Sequence, residues 1–167
     1  KTWKKDLPWL RYCLRSIDKF VTGHHEVVIV ADDDCRELET WTICDPRVIY
    51  VPLHHNGYIF QQIIKLRVAE FTNCELIMFV DSDCVFNKPT TPESFMLDQK
   101  PLLLKTRYEL VGDGICWKAI TEDVVGWPLD YEYMRRLPFF FWRSTVEAFR
   151  TWQPQLISTL YRKTDRV

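Results

Sequence analysis

Asp81, Ser82 and Asp83 are the residues whose type and spacing most plainly allow chemistry. Two carboxylates separated by one residue make a poor general acid and base pair on their own. They suit an oxygen-seeking divalent cation, Mn²⁺ or Mg²⁺, that accepts a partial protein shell and completes it with water and phosphate oxygens. Such an ion neutralises a diphosphate as it leaves. A bare Asp-x-Asp also occurs by chance in surface turns, so its setting matters. Here the five apolar residues Leu76-Ile77-Met78-Phe79-Val80 precede it, and Cys84-Val85-Phe86 and then Pro89 follow.

The elements that must position the triplet read as an alternation of helices and strands. Leu7 to Phe20 has Leu10, Leu14 and Ile17 on one stripe and Pro8 in its first turn, which predicts a helix. Gly23-His24-His25 ends it. The β-branched run Val27 to Ala31 predicts a strand buried on both faces, ending at a second acidic cluster, Asp32-Asp33-Asp34. A short helix over Arg36 to Trp41 and a strand over Val48 to Val51, stopped by Pro52, come next. Ile59 to Phe71 gives the clearest helical pattern, with Phe60, Ile63, Ile64, Val68 and Phe71 facing inward. Leu76 to Val80 is the third buried strand. Further on, Leu102 to Leu104 reads as a strand, Trp117 to Val125 as a helix, Phe139 to Trp142 as a strand or packed loop, and Thr145 to Leu160 as a closing helix broken near Pro154. The fold class expected is α/β: one domain with an open, mostly parallel sheet flanked by helices. In such sheets ligands collect beyond the carboxyl ends of the strands, where both acidic clusters fall.

Composition narrows the function. The 167 residues suffice for one compact core, and 47% apolar with 27% charged residues are ordinary for a globular chain. A net charge of -1 provides no electrostatic footprint for nucleic acid. No apolar run is long enough to span a bilayer, and the basic start, Lys1 to Lys5, leads into no signal-peptide core. Together these favour a cytoplasmic location. The six cysteines show no CxxC pair and read as reduced thiols. The histidines at 24, 25, 54 and 55 come as adjacent pairs whose side chains diverge, which argues against zinc. The abrupt ends of the sequence read as those of a fragment.

The stretch Tyr58-Ile59-Phe60-Gln61-Gln62-Ile63-Ile64-Lys65-Leu66, followed by Leu76 to Val80 and Asp81-Ser82-Asp83-Cys84-Val85-Phe86, resembles the donor half of GT-A-fold glycosyltransferases, in particular the small enzymes of large algal viruses and related bacterial proteins. In that fold a helix bearing Gln and Lys precedes the strand that delivers an Asp-x-Asp motif. Lys1 to Leu7 is similar to the segment just after the fold's first strand, which would lie upstream. Asp130 to Phe139 is similar to an acceptor-side segment. The resemblance implies a nucleotide-sugar donor half over about residues 1–90 and an acceptor half, cut short, over about 91–167. It implies that Thr2 meets the nucleotide base, that Asp32 contacts base or ribose, and that Lys65, with Gln61 or Gln62, faces the diphosphate or donor sugar. Asp81 would lie near ribose and metal, and Asp83 would be the more direct metal ligand. The expected reaction is metal-dependent transfer of a sugar from a nucleotide-diphosphate donor, UDP-linked, to a hydroxyl of a glycan or glycoprotein.

Each residue also has a plainer reading. Asp32 to Asp34 can cap the following helix, and Lys65 and Arg67 can be solvated helix charges. The aromatic run 139 to 142 reads as core before it reads as a sugar platform. An inverting transferase needs a carboxylate base; the candidates are Glu122, Asp123, Asp130 and Glu132, with Glu132 favoured by its place in the acceptor-like segment. Any of them can instead pair with Arg135, Arg136 or Arg143. The competing functions are a nucleotidyltransferase acting on sugar phosphates, which would carry a Gly-rich basic loop absent here, and a non-catalytic cation- or glycan-binding module.

Overall fold

The computed structural model describes residues 1–54, 56–133 and 138–164. In chain order they form α1 (Leu7–Phe20), β1 (Val28–Asp32), β2 (Arg47–Val51), α2 (Gly57–Leu66), β3 (Leu76–Phe79), β4 (Met96–Leu97), β5 (Lys100–Pro101), β6 (Thr106–Arg107), α3 (Lys118–Val125), β7 (Tyr131–Glu132), β8 (Phe139–Trp142), α4 (Arg143–Trp152) and α5 (Leu156–Thr164), with short 3₁₀ turns between them. The chain is a mixed α/β protein. Its strands pair two by two: β1 with β2 in parallel, and β3 with β8, β4 with β5 and β6 with β7 antiparallel. No described helix is long and apolar enough to cross a membrane.

β1 organises the core because its side chains alternate between two layers. Ile29 and Ala31 cluster with Leu7, Leu10, Leu14 and Ile17 of α1. Val30 belongs to the other cluster, with Phe60, Ile63 and Ile64 of α2. α1 forms where Pro8 suits a first turn that lacks intrahelical acceptors for its N–H groups, and it stops at Val21, which is extended. Gly23 then turns the chain at φ +78°, a left-handed conformation that costs glycine little. α2 starts on Asn56, whose side-chain oxygen accepts from the Ile59 N–H at 3.2 Å. α5 packs on α2: the Phe60 and Tyr161 rings lie with centroids 6.4 Å apart, and the Tyr161 hydroxyl accepts from Arg67 at 2.7 Å.

Several sequence expectations need correction. The short helix expected over Arg36 to Trp41 is of the 3₁₀ type and spans Arg36–Thr40. The Ile59–Phe71 pattern splits into α2, ending at Leu66, and a separate 3₁₀ turn at Val68–Glu70. Leu102 to Leu104 forms no strand, and its three leucines are exposed. The closing helix is two helices, α4 and α5, separated around Pro154. Phe139 and Phe140 are buried, and Phe140 stacks on Phe95 at 4.5 Å, so the aromatic run does serve as core.

Ile63, wholly buried between β1 and α5, is the stringent test of this packing. Ile63→Ala should cost about 2–5 kcal/mol in urea unfolding, whereas Leu110→Ala, at a 73% exposed site, should stay within about 0.5 kcal/mol.

Candidate functional site

The chain end, β1, α2 and β3 deliver most of the expected donor residues to one place. Thr2 runs parallel to β1, its N–H donating to the Val30 carbonyl at 2.8 Å and its backbone bridging Ala31. Tyr50 of β2 lies opposite the same Ala31, so Thr2, Ala31 and Tyr50 form one row on the α1 face. The hydroxyls of Thr2 and Tyr50 are both buried, and neither finds a hydrogen-bond partner among the described residues. A buried hydroxyl left so is costly, and a ligand group could satisfy it.

One residue on, Asp32 faces the α2 side. It is buried, and its Oδ1 lies 2.6 Å from the Nζ of Lys1, whose side chain is as hidden as its own. The two charges attract at this distance, although the angle between them is not that of a hydrogen bond. None of Asp32, Asp33 and Asp34 supplies a side-chain cap to the 3₁₀ turn that follows. Asp33 pairs with Arg36 in solvent at 2.9 Å.

Asp81 sits where β3 gives way to the loop. Gln61 Nε2 and Lys65 Nζ, one helical turn apart on α2, both reach its Oδ1 at 3.4 Å. These contacts are long, and both Lys65 and Asp81 remain partly open to solvent. Asp83, two residues on, is exposed, and Ser82 between them donates to Asp6 at 3.3 Å. The loop is held to α1: the Cys13 thiol faces the Asp81 carbonyl at 3.9 Å, and Ser16 Oγ accepts from the Phe86 N–H at 2.9 Å. Burial, followed by the neighbouring Cys84, pushes the Cys13 thiol up to about 12, so it stays protonated and inert.

The triplet offers Asp81 and Asp83 as the two carboxylates that would hold a cation. No cluster of three or more His, Cys, Asp or Glu suited to a metal forms among the described residues. Two partly open carboxylate side chains fit a hard ion, Mn²⁺ or Mg²⁺, that keeps water and phosphate oxygens as its other ligands. They do not fit a closed structural zinc site.

The acceptor-side candidates are arranged differently. Glu132 is buried, but it lies on β7 opposite Thr106, in a sheet separate from β1 and β3. Glu122 accepts from the Leu129 N–H at 2.7 Å, a structural role in the turn after α3. Asp123 and Asp130 are exposed. Arg135 and Arg136, considered as partners for these carboxylates, lie outside the described residues, and Arg143 pairs with Glu147 at 3.2 Å. Gln61, and not Gln62, is the glutamine of α2 that donates to Asp81. Lys1 and Asp6 were absent from the sequence-based set. Lys1 meets Asp32 across 31 positions of sequence and Asp6 meets Ser82 across 76, and no local pattern signals either contact.

No protein-family model matches the chain, and no curated protein matches it.

The two ion pairs should behave oppositely. Asp32→Ala strands the hidden Lys1 ammonium and should cost about 3–5 kcal/mol. Lys65→Met, at the more open pair, should change stability by less than about 1 kcal/mol. Denaturant melts of both variants check the contrast.

Proposed function

We propose that the chain is a metal-dependent glycosyltransferase of GT-A type, moving a sugar from a nucleotide-diphosphate donor, UDP-linked, to a hydroxyl of a glycan or glycoprotein. The observation that carries this reading is the meeting of Gln61 and Lys65 on Asp81 at 3.4 Å, immediately before Asp83. A cationic ammonium, an amide and two carboxylates thereby share one strand end, which is a site for a charged phosphate with a counter-ion. The parallel pairing of β1 with β2 supports the donor half of that reading.

Thr2 and Asp32 would hold the nucleoside, Thr2 through its unsatisfied hydroxyl and Asp32 by accepting from base or ribose. Lys65 would release Asp81 and turn its ammonium to the diphosphate, offsetting the charge that grows on the leaving group. Mn²⁺ or Mg²⁺ at Asp81 and Asp83 would supply further neutralisation of that charge. On the acceptor side, Glu132 would take the proton of the incoming hydroxyl if transfer inverts the anomeric centre.

Calorimetric titration with UDP should show binding that requires Mn²⁺. Asp83→Ala should abolish the metal dependence and leave the melting temperature unchanged, because Asp83 is exposed. Binding indifferent to metal, or full activity in Asp83→Ala, would sink the reading. Slow release of free nucleotide from a nucleotide sugar separates a transferase from a binding module, which should release none.

A further inference from the structure

The outer face of α1 takes no part in the carboxylate site. Leu10, Leu14 and Ile17 are buried in the core and line a cavity of about 500 Å³. Pro8, Tyr12, Arg15 and Lys19 are exposed on the opposite side. Their spacing of four, three and four residues places them on one line along the helix, about 16 Å from end to end. Trp9 and Arg11 flank that line, one on each side. Trp9 and Tyr12 are 59% and 57% exposed, so most of each ring lies outside the protein. The 3₁₀ turn Lys4–Asp6 just before α1 adds Lys4 and Lys5, with Trp3 beside them, all exposed.

This face is aromatic and cationic, and its cations are not neutralised. Among the described residues Lys4, Lys5, Arg11, Arg15 and Lys19 make no ion pair, whereas Arg36, Arg47, Arg67 and Arg150 elsewhere each have a carboxylate partner. Lys5 lies over the Trp3 ring at 5.2 Å and Arg11 over Trp41 at 5.5 Å, contacts that leave the charge in place. The charge is also segregated. Residues 1–20 hold six basic and two acidic side chains, which leaves 16 basic and 21 acidic for the other 147. The chain is thus positive around α1 and negative in sum over the remainder, within a net charge of -1.

A nucleic-acid strand is a poor match for this surface. Proteins that hold single-stranded nucleic acid do so in a basic groove with stacking rings inside it, and this face is the convex side of a helix. The cavity beside α1 lies on its inner side and takes none of these residues. A broad anionic surface fits better. Lys and Arg near a lipid bilayer are drawn to anionic headgroups, and Trp and Tyr settle at the headgroup level, where one end is apolar and the other wet. No described helix is long and apolar enough to cross a bilayer, so the contact lies on its surface. The same headgroups repel the negative remainder, which favours one orientation of the docked chain.

We propose that the outer face of α1, with Trp3, Lys4 and Lys5, docks the chain on the surface of a bilayer containing anionic phospholipid. The five cations supply the attraction to the phosphates, and Trp3, Trp9 and Tyr12 enter the headgroup layer. Cys13 and Ser16 hold the 81–86 loop on the buried side of the same helix, so docking also fixes how that loop stands over the bilayer. The proposal goes beyond the transferase reading and does not rest on it.

Co-sedimentation of the 167-residue chain with lipid vesicles tests it. Phosphatidylcholine vesicles containing about one-third phosphatidylserine should bind the chain, and pure phosphatidylcholine should not. Binding should vanish at about 1 M salt, where the Debye length is only about 3 Å. Arg15→Gln with Lys19→Gln should weaken it on the order of tenfold or more. Arg162→Gln, on α5 across β1 from α1, should leave it within about twofold. Trp9→Ala with Tyr12→Ala should weaken it roughly fivefold or more at constant salt. All these side chains are exposed, so the melting temperatures should not change. Absence of binding to the anionic vesicles, equal binding to both kinds, or unchanged affinity in either double variant overturns the proposal. So does tighter binding to single-stranded RNA that the same variants abolish, which names nucleic acid as the partner, or a dimer of the chain that they dissolve. Vesicle binding in a chain that fails to bind UDP supports docking and removes only the transferase reading.

Discussion

Ile29 and Ala31 are buried against α1, and Val30 between them is buried against α2. This two-sided burial of β1 is the constraint on which the remaining geometry depends. It orients α1 and α2 on opposite faces of one strand, and it sends Asp32 and the row of Thr2, Ala31 and Tyr50 to the same carboxyl end. Full burial of aliphatic side chains contributes about 1.5–3 kcal/mol each, more than the half-open contact of Lys65 with Asp81. Packing therefore sets the positions, and the polar contacts only select among nearby rotamers.

This hierarchy explains what could be read from the residues and what could not. Apolar periodicity works where a side chain meets a single layer. Leu10, Leu14 and Ile17 give away α1, and the unbroken run Val28 to Ala31 gives away a strand covered twice. The break after Leu66 is invisible to periodicity, because Val68 and Phe71 keep facing inward through the 3₁₀ turn. Leu102 to Leu104 misled for the opposite reason. Three consecutive leucines have the composition of a strand, but after the single Leu102 N–H bond to the Phe95 carbonyl the run leaves the β4–β5 ladder, and all three stay in solvent. β8 pairs with β3 from 60 to 66 positions away, a contact that only the assembled chain specifies.

The candidate site divides along the same line. Asp81, Asp83, Gln61 and Lys65 were legible because two adjacent elements, a helix and the next strand, carry them at fixed offsets. The partner of Asp32 was not, because Lys1 reaches it only after the chain start has been laid along β1. Glu132 shows the limit on the acceptor side: its burial fits a carboxyl group kept from water, yet its strand belongs to a different pair of strands from the donor residues.

The attachment of the 81–86 loop to α1 has a kinetic meaning. Cys13 and Ser16 lie one helical turn apart, and one touches the beginning of the loop while the other grips its end. A surface loop left free would lose conformational freedom each time it closed on a ligand, at about 1–2 kcal/mol for each residue fixed. Here that ordering accompanies folding. A charged ligand at the carboxylates would meet a loop already tied to α1, and its rate of capture would then be set by diffusion and electrostatic attraction and not by waiting for the loop to find its shape.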